Sequence, residues 1–302
     1  MARLRRAFVI LLSLALLSSC AQTLPEEDHT LHILATTYPV YLFTTAVVGG
    51  AKNVEVELLV NSQTSCLHDY TLTVKDMKAI EGADVIIMNG AGMEEIMADA
   101  LSQSAAAVID CSDEVPLLPT LEHAGHDGHD HEEEYDPHYW MGCPEVAVFT
   151  IGNALADLTG SEEYQTRAFD VSNKLLDFGD SWCKTLHGPY PIERPPLITF
   201  HDGFQYFANA YGLELLKAIE EEEGAAVSAA EIKEIVALIE ENHIPAIFVE
   251  RNGSRKTADV IARETGCTVY ELDMLMSGDG EGIQPYLDAM DRNLTTILEA
   301  FS

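Results

Sequence analysis

"HILATTYPVYLFTTAVVGGAKNVEVELLV", residues 32–60, decides the fold. Its opening, "HILATTY" (32–38), is an apolar, β-branched run of strand length, and "VEVELLV" (54–60) is a second one. Between them Pro39–Val48 reads as a helix, ended by the Gly49-Gly50 pair. Strand, helix and strand in close succession are the start of a βαβα order, which builds parallel sheets.

Working outward, a polar loop over Asn61–Asp69 leads to "TVKDMKAIEGA", a helix for which Thr73 and Asp76 form a capped start. "ADVIIMNG" (83–90) reads as a strand running into a glycine turn, Met93–Leu101 as a helix and "AAVID" (106–110) as a strand. Residues 161–186 differ in kind. Tyr164, Ala168, Val171, Leu175, Phe178, Trp182 and Leu186 recur at spacings of three and four, one apolar stripe on a helix about 39 Å long. The βα pattern then restarts with "PLITF" (196–200), a helix over 203–211 and "LELLKAI" (213–219). Ser228 and Glu231 form a capping box before "AAEIKEIVALIEEN". "PAIFVE" (245–250), a helix near 255–265, "TVYELD" (268–273) and a helix near 283–300 complete it. The expected class is α/β, with two lobes, each a small mostly parallel sheet flanked by helices, joined by one long linker helix. The expected boundaries are a signal peptide at 1–19, a tether at 20–28, an N-terminal lobe at 29–160, the linker at 161–187 and a C-terminal lobe at 188–302.

The formal charge is −33, from 50 Asp and Glu against 17 Lys and Arg. That balance argues against nucleic acid or anionic lipid as a partner, because both need a basic footprint. It suits a surface that attracts cations. The 47% hydrophobic content is enough for one or two sizeable cores.

Arg3, Arg5 and Arg6 precede an apolar run, Ala7–Leu17, too short for a stable membrane span, and this reads as an export signal. "LSSC" then resembles a bacterial lipobox, in which Cys20 is lipidated and becomes the mature N-terminus, outside the cytoplasmic membrane. Five cysteines remain, Cys66, Cys111, Cys143, Cys183 and Cys267, an odd number that leaves at least one unpaired or paired between chains. No CxxC occurs, which removes zinc-ribbon and thioredoxin-like readings.

Three histidines stand at informative places. His68 lies in the loop after a strand, His201 directly follows "PLITF", and His138 sits in "YDPHYW". Ligands of open α/β sheets collect beyond the carboxyl ends of strands, where His68, His201 and Asp273 fall. Three imidazoles and a carboxylate would form a tetrahedral N3O cage suited to Zn2+. Any one of them alone reads more simply as a surface histidine or a capping aspartate. Their comparable placement in two βα halves raises the metal reading. His123, His126, His129 and His131, spaced by glycine and acids in the insert 122–134, cannot form a packed element. They read either as a solvated loop or as weak, fast-exchanging metal capture.

"LHDYTLTVKDMKAIEGADVIIMNGAGMEE", "DPHYW", "LITFHDGFQYFANAYGL" and "LDMLMSGDG" resemble the metal-binding lipoproteins that serve zinc and manganese ABC importers. The resemblance runs from about His32 to the end of the chain. It implies ligation by His68, His138, His201 and Asp273, with Asp279 an alternative for the last. It also implies delivery of Zn2+ to a membrane permease by a monomeric, lipid-anchored protein rather than an enzyme. A histidine in the place of His201, and a His-rich insert before Asp-Pro-His, resemble the zinc members, and Mn2+ stays possible as cargo. The family often has Asp-Pro where this chain has Cys66-Leu67, and Asp or Ser before proline where it has Cys143-Pro144. A Cys66–Cys143 disulfide clamping the site is favoured over a competing thiolate, because the compartment is oxidising.

Competing chemistries are weaker. "HEEEY" at 131–135 lacks the second histidine of HExxH, no GxSxG occurs, and "NGAGMEE" lacks the third glycine of a dinucleotide loop. A zinc hydrolase would need an open coordination position that four protein ligands would not leave. An adhesin with a structural metal is a third class, distinguished by its lack of reversible metal exchange.

Overall fold

The structure, a computed structural model, describes residues 30–61, 67, 70–121, 135–188, 194–219 and 227–302. The proposed signal, tether and Cys20, together with Cys66, His68 and the insert 122–134, lie outside the described residues.

Residues Leu31–Ser302 form one compact unit. It contains two four-stranded sheets of the same topology. In the first, β1 (Leu31–Ala35), β2 (Val54–Leu58), β3 (Val85–Met88) and β4 (Ala107–Asp110) run parallel in the order β2-β1-β3-β4. In the second, β5 (Pro196–Thr199), β6 (Glu214–Ala218), β7 (Ala246–Glu250) and β8 (Thr268–Leu272) repeat that pattern as β6-β5-β7-β8. In each sheet the strand order reverses at its first strand, so a crevice opens beyond the carboxyl ends of β1/β3 and β5/β7.

Local sequence explains most elements. Helix α1 (Tyr38–Val48) starts on Pro39 and ends at Gly49, whose φ of 58° no β-carbon opposes. Helix α2 (Val74–Gly82) has the full capping box, Thr73 and Asp76 each bonding the other's backbone N–H. The expected helix over 93–101 is instead a 3-10 turn at Glu95–Met97 followed by a short α3 (Ala98–Ser102). The cause is Glu94, whose carboxylate turns inward to bond the backbone of Asn89 and Gly90 instead of opening a regular turn. Helix α4 (Pro144–Thr159) is the helix that follows "YDPHYW", an element whose bounds the sequence left open. Phe149 and Leu158 point outward while Val148, Ile151 and Leu155 are buried, which blurs its stripe, although Pro144 at its first turn and Gly160 at its end are both helix signals.

Helix α5 (Glu163–Leu186) buries Tyr164, Ala168, Val171, Leu175 and Leu186 from the expected stripe. It packs on α1, α4 and the last helix, α9 (Gln284–Ala300), and Trp182 Nε1 donates to Asp291 Oδ1 at 3.1 Å. The remaining helices are α6 (Gln205–Ala210), α7 (Ala229–Asn242) and α8 (Lys256–Thr265). At the start of α7 Ser228 caps Glu231 N at 3.1 Å.

Strand β7 is buried over its whole length, and its residues alternate between two cores. Ala246 and Phe248 face a core that is continuous with the first lobe; Ile247 and Val249 face a second core shared with Ile235 and Ile239 of α7 and Ile261 of α8. The shared core makes the two sheets one packed body. Trp140 Nε1 donates to Met274 O at 3.0 Å, and Tyr286 hydroxyl donates to Trp140 O at 2.7 Å. A β-carbon at Gly142 would lie 2.3 Å from the Tyr206 carbonyl oxygen, so the chains approach there only because no side chain intervenes. Gly142→Ala is therefore expected to lower the stability by about 1–3 kcal/mol, read as a drop in thermal midpoint. Among the described residues no helix is long and apolar enough to cross a membrane.

Candidate metal centre

His138 is held by Asp136, two positions before it. The Asp136 side chain is buried and Oδ1 accepts from His138 N at 2.9 Å and from Nδ1 at 2.7 Å. Gln205 Nε2 reaches Asp136 Oδ2 at 3.3 Å, and Tyr206 hydroxyl donates to Asp136 O at 3.1 Å. A proton on Nδ1 shared with a carboxylate fixes the tautomer and leaves the Nε2 lone pair for another partner. His138 itself is 4% exposed. Its ring lies 5.1 Å from that of Trp140, in the 3-10 turn Tyr139–Met141.

His201 stands just past β5, with Thr199 Oγ1 donating to its carbonyl at 3.0 Å. Its ring is perpendicular to that of His138, with centroids 5.1 Å apart. The two Nε2 atoms face each other at 3.4 Å. Two nitrogens each 2.0–2.1 Å from one tetrahedral ion are separated by about 3.3–3.4 Å, so this pair has the edge length of a Zn2+ coordination tetrahedron. Gly203 makes the approach possible. A β-carbon there would come within 3.1 Å of His138 Cγ and 3.0 Å of His201 Cδ2, besides meeting the Met274 methyl.

Sequence reasoning missed the scaffold under His138. Asn89, fully buried at the end of β3, donates through Nδ2 to Pro137 O at 3.0 Å, and its carbonyl accepts from Tyr139 hydroxyl at 2.8 Å. Glu94 in turn receives Thr36 Oγ1, Asn89 N and Gly90 N. The "NGAGMEE" stretch is thus the brace of the histidine loop, and the spacing Asn-Gly-x-x-x-Glu after a strand was the only local sign of it.

Burial pushes the Glu94 carboxyl up to about 7, although its three donors pull the other way. The folded chain then holds this proton more tightly than the unfolded one, with its ordinary value of 4.5. The contribution to stability is full below that ordinary value and is lost as pH rises through about 7. The thermal midpoint is expected to fall over that window in the wild type, and Glu94→Gln is expected to flatten the fall.

Asp273 is not beside the histidines in this structure. Its Oδ2 accepts from Arg251 Nη1 at 2.8 Å and its Oδ1 from Leu275 N at 2.9 Å. Asp279 lines a cavity together with Asp273 and Arg251, and its carbonyl accepts from Tyr38 hydroxyl at 3.0 Å. That loop is tied to the one that leads into His68: Asn61 and Gly278 exchange two hydrogen bonds of 3.1 Å. Among the described residues no group of three His, Cys, Asp or Glu side chains stands close enough to hold an ion.

The disulfide expectation is corrected. Cys143 carries a free thiol, whose Sγ donates to Tyr139 O at 3.5 Å. Burial pushes that thiol up to about 12.

Two lobes, each built on a four-stranded parallel sheet, bring the His138 and His201 imidazoles together. The chain belongs to the family described as ZnuA, zinc-uptake complex component A, periplasmic, whose model matches residues 33–300. It is 28% identical over 309 residues to the zinc-binding lipoprotein AdcA of Streptococcus pneumoniae, covering 95% of this chain and 60% of that protein. The chain thus spans about 60% of the length of the first curated relatives it matches. It is 27% identical over 321 residues to the high-affinity zinc uptake system protein ZnuA of Bacillus subtilis, covering 97% of this chain and 96% of that one. The laminin-binding protein Lmb of Streptococcus agalactiae, described as an adhesin with metal-transporting activity, shares the fold with a TM-score of 0.76 at 22% identity, over 90% of this chain and 100% of that one.

Proposed function

We propose that the protein is the extracytoplasmic zinc receptor of an ABC importer, anchored through a lipid on Cys20, working as a monomer and passing Zn2+ to a membrane permease without catalysing a reaction. The observation that carries this is the Nε2–Nε2 pair of His138 and His201, set at a tetrahedral edge by a buried carboxylate. His68 and Asp273 complete the ligand set, and Asp279 is the alternative carboxylate. Imidazole-rich sites favour Zn2+, and Mn2+ binds more weakly. His123, His126, His129 and His131 act as an accessory trap that raises the local ion concentration.

A chelator-competition titration with Zn2+ and Mn2+, on the chain from Ala21 with 122–134 deleted, tests the reading. One tight zinc equivalent with weaker manganese is the expected result; loss of the tight equivalent on deleting the insert would remove the cargo role from the buried pair. Asp136→Asn should weaken zinc by about 10–100-fold, because the carboxylate that fixes the His138 tautomer is lost. Affinity should also fall as pH drops through roughly 6–6.5, since protons compete for imidazole. That trend runs opposite to the stability trend set by Glu94, so the two are separable in one pH series. Radiolabelled palmitate incorporation that is lost in Cys20→Ala tests the anchor.

A further inference from the structure

Asp273, which the proposed function makes a zinc ligand, is engaged elsewhere. Arg251 donates to its Oδ2 at 2.8 Å and Arg292 lies 3.7 Å from the same oxygen. The backbone holds this arrangement in place: Arg251 N donates to Leu272 O at 2.8 Å, and Asn293 bonds both Asp273 N and O at 2.8 Å. Asp273, Arg251 and Arg292 line a cavity of about 460 Å3 with Tyr38 and Asp279, and neither His138 nor His201 lines it. Yet Asp273 is separated from the histidines by one residue. The methyl of Met274 sits against Gly203, beside both imidazoles. Leu275, whose N–H caps the Asp273 carboxylate, has a φ of 61°, a left-handed conformation costly for a branched side chain.

We propose that Arg251 is a counter-ligand: it holds Asp273 off the metal site until the cation takes the carboxylate from it. The inference rests on the zinc reading above. An ion arriving at the histidine pair competes with a guanidinium for the same oxygen, and binding is discounted by the free energy of the pair it breaks. Both arginine side chains are 58% exposed, so water receives them when the carboxylate leaves. Reversal of the Leu275 turn provides a local path that needs no rotation of the lobes. Arg251 is thus a positioning residue that tunes affinity downward and so eases release. Arg292, beyond hydrogen-bond reach, has the smaller share.

The test is a double-mutant cycle read by chelator competition on the full mature chain. Arg251→Gln is expected to bind Zn2+ about three- to tenfold more tightly than wild type. Arg251→Lys, which keeps the charge and one donor, should return most of the way to wild type. In an Asp273→Asn background Arg251→Gln should change nothing. Equal tightening in both backgrounds would show through-space repulsion only, and no tightening in either would show no competition; each overturns the proposal. His138→Ala and His201→Ala in the same series report on the zinc reading itself. If they leave zinc binding intact, that reading fails; if they abolish it while Arg251→Gln is silent, only the counter-ligand fails.

Discussion

Alanine in place of His201 is expected to weaken zinc binding by roughly 100-fold or more, with the fold intact. His201 lies at the crevice end of β5, and its ring contributes one of the two nitrogens set 3.4 Å apart. His138→Ala should lose as much and leave a second mark. It strips a partner from the buried Asp136 carboxylate, whose Oδ1 also accepts from the backbone N–H of residue 138. A modest loss of stability should accompany its loss of affinity. Chelator competition and thermal unfolding on the same preparations separate the two. Wild-type affinity in both variants would place the cargo elsewhere.

Trp140→Ala is the change expected to cost the most stability, about 3–5 kcal/mol. The side chain is fully buried between the lobes, packs edge-on to Tyr139 at 6.3 Å and donates to Met274 O from the segment that follows β8. Truncation opens a large cavity and leaves that carbonyl without its partner. For a chain of this size the thermal midpoint should fall by roughly 5–15 °C. Trp140→Phe keeps most of the volume and loses the hydrogen bond, so it should cost about 1–2 kcal/mol. A drop of under about 1 kcal/mol for Trp140→Ala would mean that the interlobe core collapses around the gap.

The strands and most helices were legible because their signals are local. β-Branched runs, the Thr73–Asp76 box, Pro39 and Gly49 act within a few residues of themselves. The bounds of helix α4 were not, because the lobes and α5 bury parts of several of its faces and blur the stripe. The 93–101 segment was misjudged because Glu94 serves a tertiary partner, the Asn89–Gly90 turn.

By itself the sequence determined the class, two βα halves joined by a long helix, and the chemical type of the site, since imidazoles beyond strand ends are written in the chain. Tertiary structure alone decided which of them meet. It brought His138 and His201 together across 63 positions and gave Asp136 the tautomer-setting role. It also turned Asp273 onto Arg251. The physical reason is that coordination and ion pairing depend on distances of a few ångströms between residues far apart in sequence, and only the packing of the two sheets on their shared core fixes those.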